Sequence, residues 1–397
     1  MNRLTILRFI ARDPEHGMAA TPRLGSIRKH FRSLKDPRVV GRSRHLLGDI
    51  IVLAVCGVIG NCDDWPDIAL FAQKREAWFR RFLRLPGGIP SHDTFERVFA
   101  ALDPRAFERC CLAWLREVAG LVGVGHIAID GKTLRGSASS VLGPLHLVSA
   151  WATQAHLSLG QVAVDGKSNE ITAIPKLLEL LDLSGALVTI DAIGCQKAIT
   201  RAIAAGGGDY VLVVKENQER LLEDIQETVA QALDGALPAW RVRAHATREQ
   251  GHGRQEERSC VVVQHVAGIR DRKSWARLTA VGMCRRERTI DGRSSTEVCY
   301  FIGSRRMAAR CYAQALRCHW GIENQLHWQL DVSFREDASR IENRHGAASF
   351  ALFRKLALAL LKQHPRKDSI ARKRKAAALD PEFLAETLAG VTRLDNV

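Results

Sequence analysis

The chain has 397 residues, 46% of them hydrophobic and 25% charged, enough to bury the cores of two or three domains. Its formal net charge of +15 favours a polyanionic partner, because each phosphate met by Lys or Arg releases condensed counterions. An anionic membrane surface would satisfy the same charge, but the longest apolar run, residues 50–59 (IIVLAVCGVI), falls short of the ~20 residues that cross a bilayer and reads as a buried helix.

Residues 1–24 show no strong periodicity and are expected to be a loose lead-in. Asp13 and Glu15 follow the first basic residues closely and no cleavage site ends the stretch, so the protein is expected to be cytoplasmic, associated with the nucleoid. From 25 to 122 the spacing predicts helices throughout: HLLGDIIVLAVCGVIGN, DIALFAQKREAWFRRFL and DPRAFERCCLAWLREVAGL each repeat apolar residues every three or four positions. Gly60-Asn61 and the stretch 85–88 (LPGG) supply the turns, and Ser91 or Asp93 is placed to cap FERVFAAL. Arg28, Lys29, Arg32, Lys35, Arg38, Arg42 and Arg44 crowd the opening of this all-helical domain. A DNA contact and a simply solvated basic face both fit them.

The texture changes at Gly123. IAIDGKT is a short apolar strand running into Asp130 and a glycine turn, HLVSAWATQAHLSLGQVAV holds strand-like stretches with a turn before Leu157, and residues 170–183 read as a helix. ALVTIDAIGC is a second buried strand ending in Asp191; the helix QKAITRAIAA and the strand DYVLVVKEN follow. This alternation over 123–240 predicts an α/β domain with a central sheet, closed by an amphipathic helix over 218–232. From 241 to 303 the period returns to two, with turns at Gly251/Gly253 and Asp291-Gly292, which predicts a β-rich block. Residues 304–365 carry two helical patterns, and 366–397 form a basic tail with Lys367, Arg372, Lys373, Arg374 and Lys375.

The first of those two helical patterns is RCHWGIENQLHWQL. His319, Glu323 and His327 fall four residues apart and share one face, beside a stripe of Ile322, Leu326 and Leu330, with Trp320 and Trp328 flanking the row. A solvated Glu on an ordinary amphipathic helix fits as well as a functional one until the strand ends are added. Carboxyl ends of strands gather in one crevice of an α/β domain, so Asp130 and Asp191 are both able to face Glu323. Three carboxylates on three elements suit Mg²⁺ or Mn²⁺, and two such ions ~3.5–4 Å apart clamp the attacking and leaving oxygens of a phosphoryl transfer. With 43 acidic residues in the chain, other triples remain open on this ground alone.

Competing motifs are weaker. The ten cysteines include no CxxC pair, which argues against zinc and for reduced, buried thiols. Gly131-Lys132-Thr133 resembles the end of a phosphate-binding loop, but His126 stands where that loop needs glycine. Residues 252–258 (HGRQEER) read as the charged start of a hairpin, and Glu336 and Asp337 as partners of Arg335 and Arg340. His126 and Cys195 are expected to pack near the strands.

In this order, IAIDGKTLRGS, VTIDAIGCQ, GDYVLVVKENQ, HGRQEER and HWGIENQLHWQLDVSFRED resemble the DDE transposases of bacterial insertion sequences, above all the H-repeat-associated (ISAs-type) group. GIPSHDTFERVFAALDP is similar to that group's leading helical domain, and the resemblance covers roughly residues 25–365. It implies an RNase H-like catalytic core whose metal-binding and catalytic triad is Asp130, Asp191 and Glu323, holding two Mg²⁺ (or Mn²⁺) ions. The long separation of Asp191 from Glu323, 131 residues against 60 between the two aspartates, matches a β-rich insertion before the last catalytic helix. It also implies cleavage at terminal inverted repeats of double-stranded DNA, joining to target DNA, and a homodimer assembled on two ends. A decayed or domesticated DNA-binding relative and a nuclease that cuts without joining are the alternatives. The broader superfamily surrounds its Glu with Tyr-x2-Arg-x3-Glu-x6-Lys; here Leu316, His319 and Leu330 take the outer positions. His319, Asn324 and His327, with Lys132 and Arg135 past the first strand, are the expected DNA contacts.

Overall fold

The computed structural model describes residues 25–389 apart from 40, 42, 120–123, 139–142, 165–169 and 252, so the expected lead-in 1–24, Arg42 and His252 lie outside the described residues. One nine-stranded sheet runs through the molecule. Its strands are β1 (His126–Leu134), β2 (Leu145–Ala152), β3 (Leu157–Val164), β4 (Leu187–Ile190), β5 (Asp209–Val214), β6 (Val242–Gly251), β7 (Arg254–Val263), β8 (Ala280–Ile290) and β9 (Arg293–Gly303). Their spatial order is β3-β2-β1-β4-β5-β9-β8-β7-β6. β1, β4 and β5 are parallel; β4, β5 and the first four residues of β1 are buried on both faces, as their runs of Val, Ile and Leu require. β2 and β3 add an antiparallel hairpin at one edge, and β9 joins β5 antiparallel at the other.

The β-rich block is therefore no separate layer. β6 to β9 form a meander that extends the core sheet, with Val211 of β5 paired to Gly303 of β9. Local alternation marks strands but not their partners, so this continuity was invisible in the sequence. β1 also departs from expectation: Asp130 does not close it. The strand continues to Leu134 because β2 keeps pairing with it, Asp130 opposite Ser149 and Leu134 opposite Leu145.

The helices are α1 (Gly25–Phe31), α2 (Leu47–Ile59), α3 (Trp65–Lys74), α4 (Glu76–Phe79), α5 (His92–Ala101), α6 (Pro104–Ala119), α7 (Glu170–Leu178), α8 (Lys197–Ala205), α9 (Glu219–Leu233), α10 (Ala309–His319), α11 (Trp328–Phe334), α12 (Arg344–Gln363), α13 (Ile370–Leu379) and α14 (Pro381–Ala389). The expected single helix over DIALFAQKREAWFRRFL breaks at Arg75 into α3 and α4. α10 covers one face of the sheet, where Tyr312, Ala315 and Leu316 meet Val211, Val262 and Phe301. α7, α8 and α9 cover the other. No helix among the described residues is long and apolar enough to cross a membrane.

α12 organises the rest. Every residue from Gly346 to Leu361 is buried, because α2, α5 and α6 pack on one side of it and β2 and β3 lie on the other. At roughly 1.5–3 kcal/mol per fully buried large apolar side chain, Phe350, Phe353, Leu358 and Leu361 make it a principal stabiliser. The N-terminal helices thus share their core with a C-terminal helix. The basic tail is likewise built in up to Ala389: α13 and α14 pack against α2 and α12, and Arg374 is only 1% exposed.

Candidate active site

Register places the two aspartates. Ile129 and Ile190 are the last paired residues of parallel β1 and β4, so Asp130 and Asp191 follow side by side. Alternation puts both on the face that α10 covers. Asp191 turns into the 3-10 turn Ala192–Gly194, its carboxylate accepting from the Ala192 amide at 2.6 Å, and Lys215 reaches it at 3.6 Å across open solvent. Asp130 accepts from the Gly131 amide at 2.8 Å. Burial lifts the Asp130 carboxyl to about 7, and the charges of Glu170, Glu323 and Asp191 add to that rise against the opposing Gly131 amide.

Glu170 is the neighbour that sequence reasoning missed. It opens α7 on the opposite face of β1, where a Cβ on residue 131 would collide with its carboxylate and with the His146 ring; Gly131 is what lets this pair lie against the strand. His146 sits 2.8 Å from Glu170 and 2.8 Å from the Thr133 hydroxyl. As one acidic residue opening a helix, Glu170 carries no distinguishing local signal.

Glu323 arrives on a helix that changes pitch. Beyond α10 and the turn at Trp320, residues Glu323–His327 form a π-helical turn, the Trp328 amide bonding back to the Glu323 carbonyl, before α11 resumes. Such wide turns concentrate at functional sites. The stripe of Ile322, Leu326 and Leu330 is fully buried, as expected, while Glu323 and Asn324 are exposed. Lys362 of α12 donates to the Gln325 carbonyl at 2.9 Å, fixing the turn from behind. His327 points Nδ1 at Asp130, 3.5 Å away; burial, with Lys355 and Lys132 nearby, pushes its imidazole down to about 3, so it is neutral and the contact is no ion pair. Its Nε2 has no hydrogen-bond partner among the described residues.

Three of the five expected DNA contacts, His319, Lys132 and His327, do not face solvent. His319 is 5% exposed, its Nδ1 lies 3.2 Å from the Thr189 hydroxyl, and burial lowers it to about 4. His126 meets the same hydroxyl at 2.9 Å from within the core. The Lys132 ammonium contacts Asp331 and sits 2.9 Å from Glu336; although burial opposes it, Glu336 and Asp331 hold it above its ordinary value. Glu336 and Asp337 therefore pair with Lys132 and Arg135, not with Arg335 and Arg340. Gly136 permits that brace, since a Cβ there would strike the Ser339 carbonyl. Arg135 remains largely exposed.

Among the described residues no group of three His, Cys, Asp or Glu side chains stands ready as a metal cage. The donor chemistry nonetheless fits a hard cation: neighbouring carboxylates, with burial and then their negative charge raising the Asp130 carboxyl to about 7.

Residues 125–360 match the family model described as the transposase DDE domain, and residues 28–115 match the one described as DDE_Tnp_1-associated. The chain is 37% identical over 93% of its length, and 96% of the relative's, to a protein of Escherichia coli O157:H7 named "Putative transposase YncI". It is 36% identical over 92% of its length, and 98% of the relative's, to "H repeat-associated putative transposase YhhI" of Escherichia coli K12. A short K12 relative named "Inactive transposase YbfQ" is 32% identical over 19% of this chain and 89% of its own.

Proposed function

The chain belongs to the DDE transposase family, and from that premise we propose that it cuts double-stranded DNA at the terminal inverted repeats of its element and joins the freed 3′ ends to target DNA. The carrying observation is that register sets Asp130 and Asp191 side by side, close enough to Glu323 for both other charges to act on Asp130, as Glu170 also does. We assign these three as catalytic ligands of two Mg²⁺ or Mn²⁺ ions. When bound, such ions polarise the phosphodiester and make water a competent nucleophile at neutral pH. The strand order β3-β2-β1-β4-β5 supports an RNase H-like core.

The chain's own groups orient and hold. The Ala192 amide fixes the Asp191 carboxylate, and neutral His327 sets one side of Asp130 without bringing a positive charge to it. Exposed Arg135 and Asn324 on the rim meet DNA phosphates, with Lys215 beside Asp191. Lys132 and His319 act from behind: one ties β1 to the turn after α11, the other ties α10 to β4. Two ends must be held together for joining, which calls for a homodimer on DNA, acting on the nucleoid.

The test is a labelled duplex carrying the element's end, incubated with plasmid and Mg²⁺, wild type beside Glu323→Ala. A nick at the end and a joined product, both absent in the variant, are expected. A nick that never joins would make the protein a nuclease of this fold, and binding with no cut in either protein would make it a DNA-binding relative.

A further inference from the structure

Asp191 and Lys215 help line a cleft of about 910 Å³ whose other lining residues play no part in the proposed chemistry. The floor is the sheet beyond β5, and the roof is α10 with the turn at Trp320. Lys215, Arg258, Arg285, Arg286, Arg310 and Arg317 line it, against carboxylates at Asp191 and Glu297. Three of these arginines, Arg258, Arg286 and Arg317, are fixed in the walls by bridges to Glu256, Glu297 and Glu249.

The floor between the cations is small and apolar. Cys260, Cys284 and Cys299 are direct cross-strand neighbours on β7, β8 and β9. At the mouth nearest Glu323, Trp320 is 36% exposed and the Arg286 guanidinium lies 4.9 Å from its ring. A cationic track interleaved with an aromatic platform is how single-stranded nucleic acid is held without sequence preference, phosphates on the cations and a base on the ring. The size agrees: roughly 300–1,000 Å³ suits a small-molecule-sized guest, a few nucleotides of one strand.

We infer that this cleft binds the unpaired DNA strand flanking the scissile phosphodiester, leading it away from Asp191 along the extended face of the sheet. The inference rests on the transposase reading and adds what that reading lacks, a place for one strand once the duplex end has opened. It also gives the β6–β9 extension a task in the site, since four strands of otherwise peripheral sheet form the floor.

The experiment compares two labelled duplexes bearing the element's end, one blunt and one with a single-stranded tail of about 10 nucleotides. Affinities are read by fluorescence anisotropy for the wild type, the exposed pair Arg310→Ala/Arg317→Ala, and Trp320→Ala. Tailed DNA should bind about tenfold more weakly to each variant, while blunt DNA is nearly unaffected. In the wild type, the tail should slow alkylation of Cys299 and Cys318, read by mass spectrometry, whereas blunt DNA should not. Equal weakening of both duplexes, or alkylation indifferent to the tail, overturns the cleft and leaves the transposase reading standing. A wild type that binds neither duplex overturns both.

Discussion

Two clusters of buried charge in this molecule are built on opposite plans. Under α13, the Arg374 guanidinium is 1% exposed and fully occupied: it donates to the carbonyls of Val58, Cys62 and Ser333, lies 3.0 Å from Asp63 and covers the Phe334 ring at 4.3 Å. Around Asp130 the reverse holds. Carboxylates face one another, the nearest imidazole is neutral, and one amide is the hydrogen bond that lowers Asp130. A buried charge with every lone pair and proton matched serves the fold, while one left short of counter-charge is waiting for a ligand. Lys132 shows the boundary, since Asp331 and Glu336 satisfy it within the chain.

The sharpest way to break this contrast is to remove charge from each side. Asp191→Asn should lower end cleavage by about 1,000-fold or more, several kcal/mol of lost transition-state stabilisation, with the thermal midpoint unchanged or raised because a like charge has gone. Retained cleavage, or a fall in the midpoint, would put Asp191 on the structural side. Arg374→Met should do the opposite to stability. It strands Asp63 and three carbonyls, and chemical denaturation should report a loss of about 3–5 kcal/mol. A stable variant would mean that the buried cation is not what ties α13 to α2 and α11.

How far these two clusters were legible in the sequence differs in the same way. Asp130, Asp191 and Glu323 draw notice locally, two where an apolar strand run breaks and one beside a helical apolar stripe. Periodicity also found α2, α12 and most of the strands. Arg374 read as part of a basic tail because its partners lie 41 to 316 residues away. Arg354 and Lys355 are hidden for the same reason: inside a helix of otherwise apolar residues, a charged pair reads as a solvated edge. In the fold, Lys355 reaches Ser149 at 2.7 Å and Gln161 at 2.6 Å across the layer. The wide turn at Glu323 had no local signature, since spacing by fours assumes an unbroken α-helix. Glycine at 131 suggested that β1 stops, whereas pairing with β2 carries it on.

Glu108 sharpens the comparison by pH. It accepts from the Gln161 amide within the helix–sheet core, and burial lifts its carboxyl from 4.5 to about 7, against Gln161 and nearby Lys355. A folded value above the unfolded one means its contribution is fully present below about 4.5 and is lost as pH rises to about 7. The wild type should therefore lose about 2–3 kcal/mol relative to Glu108→Gln over that window, measured by urea titrations at successive pH values. A difference that stays flat with pH would show the group is already matched, like Arg374.

The smallest effect belongs to the rim. Arg135→Ala should weaken DNA binding evenly across sequences and reduce the slope of log affinity against log salt by about 1, with folding unchanged. An unaltered slope would remove Arg135 from the phosphate contacts and leave it solely as the partner of Asp337.

The claim beneath all of these is that under-matched carboxylates make a divalent-cation site. It is tested most directly by titrating Mn²⁺ into the protein bound to its DNA end and counting free Mn²⁺ by electron paramagnetic resonance. The account predicts saturable uptake of two ions per site by the wild type, lost in Asp130→Asn/Asp191→Asn. Uptake by that double variant equal to the wild type's, or no saturable uptake by either, would contradict it.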